Sequence, residues 1–214
     1  MQGMRIRSVN VGAAQPLTRG ERSVVTGICK RPVVGAVRVS AEGVAGDTIC
    51  DTENHGGIDQ AVYAYGVADY AWWGQELGRS LEPGTFGENL TIDGLPEDLH
   101  AGDRLLIGDV ILEATSPRIP CRTFAMRMDD RHFGLKFRDA ARPGFYFRVL
   151  NEGELQAGDS VTIVEDPASE ATLLDQFHLR YSTSPDRETL ERVLATPIAT
   201  RMREMFEAKL EAIS

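Results

Sequence analysis

The amino-acid sequence predicts a mainly β fold with additional helices, in which a closed or nearly closed β-barrel precedes a small helical module. Many short segments with strand-like patterning fill the first three quarters of the chain, and Gly-rich turns separate them. After Asp166 the sequence contains no glycine, and its hydrophobic pattern becomes helical. We therefore predict a barrel domain with peripheral helices over residues 1–165 and a three-helix module over residues 166–214.

The predicted strands are segments in which apolar and polar residues alternate, or brief apolar runs between turns. They are residues 4–11, 36–40, 61–65, 104–115, 144–150 and 159–165. The segment 104–115 holds two strands, because Gly108 and Asp109 suit a two-residue hairpin turn. The pattern Leu-x-Ala-Gly-Asp occurs at residues 99–103 and again at 155–159, which indicates two strands that begin alike within one barrel.

One helix is predicted inside the barrel region, over residues 67–77, and three follow in the module. In the module, Ser184 and Thr196 are predicted N-caps, because each is followed by a proline at the first helical position. Three short helices alone would be marginally stable. We therefore expect the module to pack on the barrel or on a partner, and docking or homodimerisation are the roles open to it.

Composition and charge exclude several classes of protein. The 214 residues carry a formal net charge of −9, which disfavours binding to nucleic acid or to anionic membranes. There is no apolar run of membrane-spanning length and no signal-peptide pattern, so we expect a cytoplasmic protein without a membrane partner. Three widely spaced cysteines predict no disulfide framework, and four scattered histidines form no zinc-binding motif.

The segment SPRIPCRTF, residues 116–124, places Cys121 on a turn that two prolines stiffen. Arg118 and Arg122 flank the thiol, and neighbouring positive charges stabilise the thiolate, the form that binds metals or attacks electrophiles. The arginines could also hold an anion. The alternatives are a buried structural cysteine or an unreactive surface thiol.

The segment GDTICDTENHGGID, residues 46–59, is the densest polar cluster, with acidic or imidazole side chains at Asp47, Asp51, His55 and Asp59. Its glycines argue against a helix, so we predict a loop. This loop either forms the wall of a site or is solvated, with its aspartates capping turns.

Two further loops could face the same ligand. Residues 26–33 contain Lys30 and Arg31 before a proline, a cationic pair that can hold a phosphate. In residues 83–90, glycines allow close approach of a ligand to the backbone, and Asn89 can donate and accept hydrogen bonds. The four segments together predict a site for one anionic ligand.

The segments TGICKRPV, GDTICDTENHGGIDQAVYAY, PGTFGENLTIDGL, GDRLLIGDVILEATSPRIPC and GFYFRVLNEGELQAGD occur in this order. Together they resemble the MOSC family, named for the C-terminal domain of molybdenum cofactor sulfurase, over about residues 5–165. The branch that this chain resembles is the short bacterial proteins that reduce 6-hydroxylaminopurine and related N-hydroxylated bases. The helical tail resembles the 3-alpha module that follows the domain in that branch.

The resemblance implies a β-barrel that binds the molybdenum cofactor, Mo-molybdopterin, with Cys121 as the protein ligand of the metal. It implies no pyridoxal-phosphate part, for which 214 residues leave no room. The other residues that it places in or near the pocket are Lys30, His55, Asp59, Phe86, Asn89, Arg118 and Arg122.

The expected reaction is the reduction of N–OH to N–H, with His55 or Asp59 as proton donor. Because no flavin or nicotinamide motif is visible, electrons would come from a separate flavoprotein reductase. The first alternative is a non-catalytic carrier of the molybdenum cofactor or of its sulfur. The second is a zinc hydrolase that uses Asp51, His55 and Asp59.

Overall fold

A computed structural model describes residues 3–213 and contains thirteen strands and six α-helices within that range. The strands are β1 (Arg5–Val11), β2 (Gln15–Arg19), β3 (Arg22–Thr26), β4 (Arg31–Pro32), β5 (Val37–Ser40), β6 (Gly43–Val44), β7 (Val62–Gly66), β8 (Leu90–Asp93), β9 (Arg104–Ile107), β10 (Val110–Pro117), β11 (Phe145–Asn151), β12 (Gly153–Leu155) and β13 (Thr162–Val164). The helices are α1 (Val67–Leu77), α2 (Arg122–Arg127), α3 (Phe133–Ala140), α4 (Leu173–Tyr181), α5 (Arg187–Leu194) and α6 (Thr200–Glu211), with a 3-10 helix at Ile58–Gln60.

Eight strands form the main sheet in the order β13-β9-β10-β11-β7-β8-β1-β4, antiparallel except for the parallel pair β7 and β8. Backbone hydrogen bonds also join β1, which lies next to one end of this sheet, to the segment that leads into β13 at the other end, since Ile6 N donates to Asp159 O (2.9 Å) and Val161 N donates to Met4 O (2.9 Å). The sheet thus curls into a barrel. The prediction of a mainly β fold with a barrel, peripheral helices and three C-terminal helices is confirmed.

Strand β7 shows how the barrel positions the site. All five of its residues are buried, because β7 lies between β8 and β11 and is covered on both faces. Val62 and Ala64 enter the main hydrophobic core, whereas Tyr63 and Tyr65 enter a separate aromatic cluster. The two-residue period of a strand therefore directs tyrosines to the side on which α1, α2 and α3 pack.

The aromatic cluster holds α1, α2 and α3 against the barrel. Trp73 stacks with Phe137 at 6.1 Å between ring centroids, and Phe124 meets Phe137 edge-on at 5.0 Å. Trp73, Phe124 and Phe137 are fully buried. The sequence pattern did not predict α2 and α3, which have only six and eight residues. Helices this short depend on tertiary packing more than on local sequence.

The C-terminal helices pack on the barrel, and α4 begins with a capping box between Thr172 and Asp175. The predicted N-caps of the next two helices are wrong. Asp186, not Ser184, caps α5, because its carboxylate accepts from Thr189 N at 2.8 Å. The helix α6 begins at Thr200, after Ala199 rather than Thr196, and the Asp59 carboxylate from the barrel region caps it.

Leu173, Val193, Met202 and Phe206 share one core cluster with barrel residues. The division of the chain at residues 165 and 166 stays a prediction. The outermost residues of the two predicted domains, 1, 2 and 214, lie outside the described range. Within residues 3–213, every helix is too short or too polar to span a lipid bilayer.

Candidate functional site

A cavity opens where the turn after β3, the loop after β6, the start of β8 and the turn before α2 come together. Its lining combines cationic, carboxylate, thiol and phenol groups with an apolar side. The lining residues are Val25, Thr26, Gly27, Ile28, Lys30, Asp47, Thr48, Ile49, Cys50, Asp51, His55, Gly56, Gln60, Tyr63, Gly87, Asn89, Arg118, Cys121, Thr123 and Tyr146. All four loops that the sequence analysis singled out therefore contribute to one cavity.

Cys121 lies in this cavity at the junction between β10 and α2. Strand β10 ends at Pro117, and Cys121 is extended (φ −116°, ψ 172°) directly before the first helical residue. Burial by itself raises the pKa of the Cys121 thiol, but the hydrogen bond with His55 and the charge of Arg118 outweigh it and lower the pKa to about 7. The hydrogen bond and the neighbouring charge therefore favour the thiolate form of Cys121.

Arg118 places a buried positive charge beside Cys121. Its Nη1 donates to the Tyr146 hydroxyl (3.2 Å), and its guanidinium lies 5.0 Å from the Tyr63 ring centroid. Burial alone lowers the pKa of Arg118, yet the neighbouring Tyr146, Tyr63 and Cys121 raise it above its ordinary value. Arg118 Nε is buried and has no hydrogen-bond partner in the described part of the chain. The cavity thus holds a permanent cation with an unused donor.

A second buried charge, that of Lys30, is neutralised within the protein. Lys30 Nζ pairs with Asp47 Oδ2, and both side chains are less than a tenth exposed. Asp47 also accepts from Gly12 N (2.8 Å) and from Asn89 Nδ2 (3.0 Å). Burial lowers the pKa of Lys30, and the Asp47 carboxylate opposes that shift. Asp47 therefore ties together three segments of the cavity wall.

Glycine at position 27 permits the close packing of this wall. A Cβ at residue 27 would lie 1.9 Å from the Thr48 carbonyl oxygen, and one at Gly12 would lie 2.0 Å from the Gly27 oxygen. These distances are far below van der Waals contact, so only glycine lets the three backbone segments meet. Thr48 N donates to Gly12 O at 2.9 Å and completes this layer.

The structure brings together seven of the residues that were named from the sequence: Lys30, Asp47, Asp51, His55, Asn89, Arg118 and Cys121. Asn89 uses both ends of its amide, since its Oδ1 accepts from Tyr63 N (3.1 Å) while its Nδ2 contacts Asp47. It supports the wall through these bonds.

Four other named residues lie elsewhere. Phe86 is fully buried in the aromatic cluster and stacks on Tyr65 at 4.5 Å between ring centroids. Arg31, on β4, and Arg122, the first residue of α2, are exposed. Asp59 turns toward the C-terminal helices and pairs with Arg148 at 2.9 Å.

The three side chains of the zinc alternative point to different partners. Asp59 is held by Arg148, whereas both oxygens of Asp51 accept from Asn54 Nδ2 (3.1 and 3.2 Å). Within residues 3–213, no three His, Cys, Asp or Glu side chains group closely enough to hold a metal ion.

Tyr63, Tyr146 and Gln60 also line the cavity, and the sequence did not mark them as site residues. Tyr63 on β7 pairs in register with Tyr146 on β11, and their rings lie 5.0 Å apart. The alternation along β7 and β11 could have indicated that these two tyrosines share one face of the sheet. It does not distinguish a cavity from the core, where a buried tyrosine on a strand more often lies.

Comparisons with known proteins agree with this architecture. The MOSC domain model matches residues 51–162. The uncharacterized protein YflK of Bacillus subtilis strain 168 is 32% identical over 191 residues, which cover 89% of this chain and 86% of YflK. The crystal structure of YiiM from Geobacillus stearothermophilus superposes with a TM-score of 0.80 at 29% identity, over 97% of this chain and 99% of that one.

A protein named reductase from Gibberella moniliformis strain M3125 is 31% identical over 159 residues, or 71% of this chain but only 28% of that protein. The MOSC match spans more than half of the 214 residues, and the YflK alignment extends over nearly the whole chain. The chain therefore belongs to the MOSC domain family.

Proposed function

We propose that this protein is a molybdenum cofactor-dependent reductase of N-hydroxylated substrates, such as hydroxylaminopurines. The observation that carries the proposal is the Cys121 thiol, which lies in the cavity with a pKa of about 7 beside the buried guanidinium of Arg118. Family membership and the reductase from Gibberella moniliformis support a redox role.

The residues of the cavity fit the molybdenum cofactor. A thiolate is a soft ligand that suits such a metal, and Cys121 is partly ionised at neutral pH. The pterin of this cofactor carries a phosphate, and Arg118 offers a positive charge with a buried, unpartnered Nε. Lys30 contributes less free charge than the sequence suggested, because Asp47 neutralises it. When bound, the cofactor would supply the two-electron redox chemistry that breaks the N–O bond.

The chain itself would position the substrate and deliver protons. The overall change is N–OH plus two electrons and two protons giving N–H plus water. His55 lines the cavity and contacts Cys121, so it is the group best placed to give a proton to the departing oxygen. Ile28 and Ile49 would exclude water from one side of the substrate. A separate flavoprotein reductase would provide the electrons.

The proposal is tested by elemental and pterin analysis of freshly isolated protein, followed by turnover of 6-hydroxylaminopurine with a flavin reductase and NADH. We expect molybdenum bound to the protein and reduction of the substrate. Cys121→Ala should remove turnover and weaken metal retention while the fold persists. Cys29→Ala is the matched control, because Cys29 lies outside the cavity lining. This variant should retain both turnover and bound metal.

Bound molybdenum cofactor without turnover would instead identify a carrier of the cofactor. Full activity in Cys121→Ala would contradict the role of the thiolate.

A further inference from the structure

The first turn of α6 contacts the loop of residues 51–60, which carries four residues of the cavity lining: Asp51, His55, Gly56 and Gln60. Asp59 on this loop caps the helix. Its Oδ2 accepts from Thr200 N (2.8 Å) and from Thr200 Oγ1 (2.9 Å). The other carboxylate oxygen pairs with Arg148 at 2.9 Å, so Asp59 links the barrel, the loop and the C-terminal helices.

Arg201 makes a second connection between the same two elements. Its Nη2 donates to the Thr52 carbonyl oxygen (3.0 Å), and its Nη1 donates to Gln60 Oε1 (3.5 Å). Thr52 directly follows Asp51, and Gln60 itself lines the cavity. Arg201 therefore spans the loop from one end to the other.

The loop has little regular structure of its own to hold it. Gly56 and Gly57 both have positive φ (73° and 82°), and the internal bonds are single turns such as His55 N to Asp51 O (3.0 Å). A glycine-rich segment loses much conformational freedom when it is fixed. Contacts from outside the loop must therefore supply part of its order.

We propose that the first turn of α6 positions the 51–60 loop as a wall of the cavity, with Asp59 and Arg201 as positioning residues. The helix α6 is then a component of the cavity, and the helical tail is more than a docking module. The inference goes beyond the reductase proposal, because it holds for any ligand of the cavity.

The test uses Cys121 as a reporter in a Cys29→Ala/Cys50→Ala background, with two maleimides of different size. N-ethylmaleimide and fluorescein maleimide react with the same thiolate, so the ratio of their rate constants cancels ionisation and reports only access. In Arg201→Ala, the rate constant for fluorescein maleimide should rise about fivefold relative to that for N-ethylmaleimide. Loss of one ordinary hydrogen bond changes the equilibrium for local opening by about this factor. Hydrogen exchange of residues 51–60 should accelerate in parallel.

Arg203→Ala is the matched control. Arg203 also donates two hydrogen bonds, but to Leu194 O and Thr196 O (both 2.8 Å) within the helical tail. The Arg203→Ala substitution should leave the ratio of the two maleimide rate constants unchanged, even if it lowers the melting temperature. Arg201→Lys, which keeps a donor for Thr52 O, should restore most of the ratio.

A second pair of variants tests the cap. Asp59→Ala should raise the ratio, whereas Asp59→Asn should raise it less, because asparagine caps helices about as well as aspartate. An unchanged ratio in both Arg201→Ala and Asp59→Ala would overturn the proposal. An equal rise in Arg203→Ala would also overturn it, because general loosening of the tail would then be the cause.

Discussion

The Cys121 side of the cavity and the 51–60 loop that faces it are held in different ways. Cys121 and Arg118 stand on a base of buried aromatic rings, with Phe124 only 4.6 Å from the Arg118 guanidinium. The loop has Ile58 exposed to solvent and is tied down by polar contacts from α6 and from Arg148 and Thr115 of the barrel. One side is fixed by dense packing, and the other by a few hydrogen bonds. The cavity therefore combines a reactive group that is held by packing with a wall that is held mainly by polar contacts.

The largest difference between the two sides should appear in stability. Phe137→Ala removes a fully buried ring from the aromatic base and should lower the free energy of unfolding by about 3–5 kcal/mol. Ile58→Ala, on the exposed part of the loop, should change it by less than about 0.5 kcal/mol. Chemical denaturation of the two variants and of the unmodified protein measures both changes in the free energy of unfolding. Similar losses would show that the loop is packed as tightly as the base.

A smaller difference should separate two aspartates of the cavity. Asp47→Ala leaves the buried Lys30 without its counter-ion and should cost about 3 kcal/mol, less if Lys30 gives up its proton. Asp51→Ala, at an exposed position of the loop, should cost less than about 0.5 kcal/mol. Thermal or urea unfolding at neutral pH measures both. A near-neutral Asp47→Ala would mean that this carboxylate does not hold the wall together.

The sequence predicted most strands of the main sheet, because they are marked either by alternation, as in β1, or by a brief apolar run between turns, as in β7. The helix α1 begins and ends as predicted, at Val67 and Leu77. The short helices α2 and α3 were missed, since rings distant in sequence, such as Trp73, stabilise them. The starts of α5 and α6 were also missed. For α6, the capping carboxylate is Asp59, which lies 141 residues earlier in the chain.

The candidate site was predictable where local chemistry marked it. Two prolines and two arginines around Cys121 indicated a rigid cationic turn, and the structure places that thiol in a cavity. Spacing within a loop does not show which way each side chain turns. His55 faces the cavity and Asp59 faces α6, although they are only four residues apart. Asp47 was visible as part of a polar cluster, but its partners Gly12 and Asn89 are distant in sequence.

The central claim is that Arg118 and His55 keep Cys121 partly ionised near neutral pH. The most direct test is the pH dependence of Cys121 alkylation by iodoacetamide in the Cys29→Ala/Cys50→Ala protein. Because the thiolate is the reacting form, the rate should rise with pH and reach half its maximum at about pH 7. In Arg118→Leu, the midpoint should move upward. A midpoint in the unmodified site near about 8.5, the value of a free cysteine, would contradict the account.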